Sequence, residues 1–146
     1  MSLTKIVGQF FKPRQYALEK HYTQPEALQE AVLRHLLERG SNTEYGRNHL
    51  LSPKNSYEEF AKNVPINTYE ELKRDIDRMR HGEADVLWPG QVQWYAKSSG
   101  TTNDKSKFIP VSAEGLHDIH YQGGKDVVTF YLRNNPNSRL FDGKSL

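Results

Sequence analysis

The sequence contains no cysteine. Disulfide scaffolds, thiolate zinc sites and cysteine nucleophiles are thereby excluded. No run of about 18 apolar residues is present, so no segment reads as a membrane-spanning helix. The N-terminal stretch lacks the long apolar core of a secretory leader, and a cytoplasmic location is expected. An excess of charge of one sign is missing too. Twenty Lys and Arg against 18 Asp and Glu leave a net charge of +2, too little to point to a nucleic-acid partner. There is no internal repeat and no low-complexity tract.

Apolar residues are also scarce. They make up 36% of the 146 residues, against about 45–50% in an average soluble domain, and the mean hydropathy is −0.82. The length suits about one domain, so the core should be thin. That fits a helix-rich module with wide solvated faces, or a piece of something larger. Residues 139–146 read as the start of a strand just where a turn signal, Asp142-Gly143, occurs. This favours the second option, and a chain with such an open edge is expected to self-associate.

The first two thirds read as short capped helices. Residues 4–11 suggest a first helix ended by Lys12-Pro13. Thr23-Gln-Pro-Glu26 has the form of a capping box, and apolar residues at three and four residue spacing predict a helix over 24–39 with Gly40 as its stop. Ser56-Tyr-Glu-Glu59 opens a short helix to about Asn63. Thr68-Tyr-Glu-Glu71 opens another, with Leu72, Ile76 and Met79 on one face and Gly82 after its end.

At residue 84 the period changes. Ala84 to Trp88 is short and apolar, and Pro89-Gly90 marks a turn. Residues 91–97 alternate, which predicts a strand with Val92, Trp94 and Ala96 facing one side. A polar loop follows over 98–106, then a second strand over 107–111. Ser112 can cap a long helix over 113–133, with Leu116, His120, Gly123, Val127 and Tyr131 along one stripe, ended by Asn134-Asn-Pro136.

The segment Ser98-Ser-Gly-Thr-Thr-Asn-Asp-Lys-Ser-Lys107 is chemically the densest. It holds five hydroxyls, one glycine and two lysines in ten residues. Hydroxyl donors, backbone amides opened by glycine and ammonium groups are what phosphate oxygens require. From composition alone, a polar hairpin loop without ligand is the commoner outcome, since Ser, Thr, Asn and Gly are ordinary loop residues. The nucleotide P-loop pattern fails, because its second glycine is missing and a strand rather than a helix comes next.

Another pattern fits. Ser98-Ser-Gly-Thr-Thr102 followed by Lys107-Phe-Ile-Pro110 resembles the phosphate-binding loop of the firefly-luciferase-like adenylate-forming superfamily. Upstream, Val64-Pro-Ile-Asn-Thr-Tyr-Glu-Glu-Leu72, Ile76-Asp-Arg78 and Gly82 stand in the same order as in the auxin-responsive acyl acid-amido synthetase family. Tyr45-Gly46 and Ser56-Tyr-Glu-Glu-Phe60 agree, and the resemblance covers most of residues 25–146.

The resemblance implies an α/β fold: the N-terminal fragment of an adenylate-forming enzyme, with a helical region over 1–83 and the start of the adenylation domain over 84–146. That start comprises a β-hairpin with the phosphate loop and a long helix. It implies an ATP-dependent ligase that adenylates a small carboxylic acid and then joins it to an amino acid, with Mg²⁺ assisting. Ser98, Ser99, Gly100, Thr101, Thr102 and Lys107 would hold ATP, Lys107 acting on the β- and γ-phosphates as the catalytic cation. Asn103-Asp104 replaces a second glycine common in such loops, and an acidic side chain beside phosphate must face Mg²⁺ or solvent. Family members are several times longer, so this chain alone should be inactive.

Other readings carry less. His117 and His120 can share a helical face but lack a third ligand, so no metal site is expected. Trp88, Trp94 and Tyr95 beside Lys97 would suit base stacking in a nucleic-acid-binding module, yet strand aromatics more often form core. A serine nucleophile at Ser98 or Ser99 has no G-x-S-x-G elbow. A stand-alone helical interaction domain is the remaining alternative.

Overall fold

The computed structural model describes residues 2–99 and 106–143. Its helices are α1 (Leu3–Thr23), α2 (Pro25–Gly40), α3 (Glu44–Asn48), α4 (Tyr57–Asn63), α5 (Tyr69–Arg80) and α6 (Gln122–Asn134). Two strands, β1 (Trp94–Lys97) and β2 (Phe108–Val111), form an antiparallel hairpin. The chain divides into two compact units, Met1–Leu28 with Leu116–Leu146, and Gln29–Gly115.

In the first unit α1 packs against α6. The expected stop at Pro13 does not occur: the proline lies inside α1. A proline removes one helical hydrogen bond and crowds the preceding turn, but contacts elsewhere offset this. Arg14, the next residue, grips Asp126 of α6 with two hydrogen bonds of 2.6 and 2.7 Å. Leu18 of α1 and Thr129 and Leu132 of α6 are buried. Because α1 runs on to Thr23, the expected capping box there is not formed, and the Thr23 hydroxyl instead donates back to the Glu19 carbonyl at 3.3 Å.

The long helix begins as foreseen, with the Ser112 hydroxyl accepting the Gly115 N–H at 2.9 Å. Its first turns, Gly115–Tyr121, are π-helical. Wider turns advance the face of everything downstream. The predicted stripe is therefore displaced: Val127 and Tyr131 are exposed, while Thr129 and Leu132 are buried. Among the described residues from Arg139 onward the expected strand is not formed, residues 140–142 forming turns, and 144–146 lie outside the described residues. Asp142 there serves the distant start of α1, accepting the Thr4 N–H at 3.1 Å and the Ser2 hydroxyl at 2.7 Å. The Thr4 amide is one of those that a helix N-terminus leaves without partners.

In the second unit the capping boxes at Ser56 and Thr68 are both formed. Residues 84–93 run between α5 and β1, and they supply the core: Val86 and Val92 pack with Met79 of α5, covered by Leu87, Trp88 and Tyr95. This corrects the strand face. Val92 points inward as expected, but Trp94 is exposed and Tyr95 lies against the core. Residues 91–93 are not strand, so the two-residue alternation is not kept across them.

The same segment completes α3. Its first amides, those of Glu44 and Tyr45, donate to the carbonyls of Asp85 and Val86 at 2.7 and 3.1 Å. Gly46 lies so close to the end of α2 that a Cβ would stand 1.9 Å from the Gly40 carbonyl oxygen. Arg78 of α5 ties the unit together by pairing with Glu44, Asp75 and Glu83. Hydrogen bonds to the carboxylates raise its pKa further above the ordinary guanidinium value, while those from Arg78 hold Glu44 and Glu83 below theirs.

Candidate functional site

The hairpin sets the geometry. Trp94 lies opposite Val111, Tyr95 opposite Pro110, Ala96 opposite Ile109, and Lys97 opposite Phe108. One step beyond, the Ser98 N–H donates to the Lys107 carbonyl at 2.9 Å. The return bond is unusual: the Lys107 N–H donates to the Ser98 hydroxyl oxygen at 2.9 Å, in place of a carbonyl. Ser98 and Lys107 therefore form the neck of the intervening loop. The Ser98 hydroxyl has one lone pair engaged there, and its proton remains a donor.

Antiparallel ladders alternate between bonded and non-bonded pairs. With Ser98 and Lys107 bonded, Phe108 and Pro110 must direct their backbone nitrogens away from β1. Pro110, which has no N–H to give, thus occupies a position where none is needed. Phe108 does have one, and it donates to the Tyr69 hydroxyl of α5 at 3.0 Å. An open strand edge is covered by a helix in this way.

Two cations sit at the neck. The Lys107 ammonium lies 5.4 Å from the centre of the Tyr69 ring, and the Arg80 guanidinium lies 3.8 Å from the centre of the Phe108 ring. Both are within cation–π range. The Tyr95 hydroxyl is buried with no hydrogen-bond partner among the described residues, and desolvation raises its pKa while nearby Arg80 opposes the rise.

Of the residues expected to bind phosphate, Ser98 and Lys107 are brought together at the neck and Ser99 follows, exposed. Gly100, Thr101 and Thr102 lie outside the described residues, as do Asn103 and Asp104. Sequence reasoning missed Tyr69 and Arg80 as partners of this hairpin. The only signal for Tyr69 was its place directly after the helix cap at Thr68. Among the described residues there is no group of three or more His, Asp or Glu able to hold a metal ion, and no helix is long and apolar enough to cross a membrane.

A series of helices leads into a hairpin closed by Ser98 and Lys107, and a helix capped by Ser112 follows. Residues 14–146 match the family model described as the GH3 family N-terminal domain, and the chain belongs to that family. Among its relatives, the indole-3-acetic acid-amido synthetase GH3.15 of Arabidopsis thaliana is 36% identical over 100 residues, covering 68% of this chain and 17% of the relative. The indole-3-acetic acid-amido synthetase GH3.2 of the same plant is 34% identical over 100 residues, covering 68% of this chain and 18% of that protein. A probable indole-3-acetic acid-amido synthetase of Oryza sativa subsp. japonica, also designated GH3.2, is 32% identical over 92 residues, covering 62% and 15%. The chain therefore spans less than a fifth of the length of these relatives.

Proposed function

We propose that the chain supplies the phosphate-gripping hairpin of an ATP-dependent acyl acid-amido synthetase acting in the cytoplasm. The observation that supports this is the neck itself: in a chain whose relatives are amido synthetases, Ser98 and Lys107 are hydrogen-bonded at the base of a loop rich in hydroxyls. In this reading residues 84–146 begin the adenylation domain and residues 1–83 precede it as a helical region.

In the reaction, a carboxylate oxygen of the acid attacks the α-phosphorus of ATP. The bond from that phosphorus to the bridging oxygen breaks, and pyrophosphate leaves with the bonding electrons. An amino acid's amine then attacks the acyl carbon, and AMP departs. The hydroxyls of Ser98, Ser99, Thr101 and Thr102 donate to the β- and γ-phosphate oxygens, and the absence of a side chain at Gly100 lets backbone amides approach. The Lys107 ammonium stabilises the charge that grows on departing pyrophosphate, which accelerates the step because the attraction is stronger in the transition state than with bound ATP. Mg²⁺ bound to ATP would neutralise part of the same charge. The chain alone lacks the remainder of such an enzyme's length and is expected not to adenylate. ATP–pyrophosphate exchange, measured in the whole enzyme with and without Lys107, tests the assignment.

A further inference from the structure

We propose that Tyr69 is a positioning residue for the phosphate loop: its ring seats the Lys107 ammonium and its hydroxyl fixes the strand from which Lys107 projects. The inference rests on the phosphate-binding reading of the hairpin and adds to it a residue from outside the loop.

A lysine on a hairpin end has four rotatable side-chain bonds, so its charge is diffuse in space unless something holds it. Two features of Tyr69 limit that freedom. The ring lies 5.4 Å from Nζ, which attracts the ammonium toward the ring face. The hydroxyl accepts the N–H of Phe108 at 3.0 Å, one residue along the backbone from Lys107. The lysine is thus restrained at its root and at its tip by one side chain.

Tyr69 is itself held firmly. It is the first residue of α5, and the turn it begins is closed by the Thr68–Glu71 capping box. The Thr68 N–H donates to Glu71 Oε2 at 2.6 Å. Further along α5, Ile76 and Met79 are buried and Arg78 pairs with Glu44 and Glu83. Arg80 at the far end, bonded to Asp77 at 3.2 Å, stacks on the Phe108 ring. Both ends of α5 therefore converge on the strand that leaves the loop, and the helix acts as its rigid platform. A cation bound to an aromatic face keeps most of its charge available, so Lys107 is oriented without being neutralised as it would be by a carboxylate.

The test uses the 146-residue chain, magnesium pyrophosphate as probe, and NMR. Wild type should show Lys107 Hε protons shifted upfield by the ring and a Phe108 amide slow to exchange. Tyr69→Phe should keep the upfield shift, lose the amide protection and bind pyrophosphate within about twofold of wild type. Tyr69→Leu should lose both signatures and bind about threefold more weakly. Lys107→Ala should weaken binding about tenfold, and adding Tyr69→Leu to it should cost nothing more, because Tyr69 acts through the lysine. Additive losses in that double variant, or Tyr69→Leu binding as well as wild type, would overturn the positioning role alone. Absence of the upfield shift in wild type would overturn it as well. Wild type that does not bind pyrophosphate, or Lys107→Ala that binds equally well, would overturn the phosphate reading and the role of Tyr69 with it. A circular dichroism spectrum of Tyr69→Leu matching wild type verifies that its weaker binding is not loss of folding.

Discussion

Ser98 and Lys107 each give a backbone N–H to the other, but to acceptors of different kinds, a carbonyl in one direction and a side-chain hydroxyl in the other, both at 2.9 Å. The hairpin is thereby closed by a residue that can also serve a ligand. One serine oxygen defines where the ladder ends, and among the described residues its proton has no acceptor.

Removing the oxygen should loosen the neck. Ser98→Ala leaves the Lys107 N–H without its acceptor, a loss of about 1 kcal/mol. Hydrogen exchange at the Lys107 amide should quicken by roughly fivefold as a result. Ser98→Thr, which retains the oxygen, should exchange like wild type. Equal protection in the alanine variant would show that the hydroxyl does not hold the neck.

The charge at position 107 has a separate readout. In the whole enzyme, Lys107→Ala should lower ATP–pyrophosphate exchange by about 10²–10³, the usual cost of losing a charged transition-state stabiliser. Amide formation from supplied acyl-adenylate should be nearly unaffected, since pyrophosphate has already departed. Arginine should restore the exchange only in part, because a planar fork does not replace a compact ammonium. A change of less than about twofold in exchange would assign Lys107 to a solvated strand end.

Packing around Gly46 should tolerate no side chain. A Cβ there would stand 1.9 Å from the oxygen and 2.7 Å from the carbon of the Gly40 carbonyl, and neither backbone atom can move without displacing the end of α2. Gly46→Ala should destabilise the chain by about 3 kcal/mol or more. Gly123→Ala, in α6 with nothing within 4 Å of the added carbon, should instead stabilise by about 0.5–1 kcal/mol. Urea midpoints of the two variants moving in the same direction would contradict this account.

Acid should weaken the contact between α1 and α6. Hydrogen bonds from Arg14 hold the Asp126 carboxyl below the usual carboxylate range, against the opposing effect of burial. The unfolded chain therefore takes up this proton more readily than the folded one. The stabilisation is fully present above the unfolded value, near pH 4, and is lost as pH falls from there through the lower folded value. Asp126→Asn should be less stable at neutral pH and show a shallower acid limb. Urea midpoints followed from about pH 6 to pH 3 measure it, and parallel curves for the two proteins would exclude the linkage.

What could be read from the sequence was what neighbouring residues decide. Ser56 with Glu59, and Thr68 with Glu71, formed their boxes because both partners lie within one turn. The two strands paired because a polar loop separated two apolar runs. Where distant partners decide, the same local signals misled. Pro13 stops an isolated helix, but Arg14 has Asp126 to bind. Thr23 resembles a cap, but α1 was already under way. The stripe through Val127 and Tyr131 assumed a uniform turn, and the π-helical segment before it broke that assumption. At the site, Ser98 and Lys107 were visible as chemistry, whereas Tyr69, 39 residues before the amide it accepts, left no trace in spacing.

The clasp between α1 and α6 also fixes an order of events during synthesis. Arg14 and Asp126 are 112 residues apart, and a ribosome adding about 5–20 residues per second needs roughly 6–22 s to cover that distance. For that interval the first helix waits without the partner that holds its proline-containing turn, and without the aspartate that caps its start. Residues 29–115 emerge meanwhile and can assemble from their own contacts. Helix α1 is thus secured only after the residues between it and α6 have been made, and until then it is a segment a chaperone would meet bare.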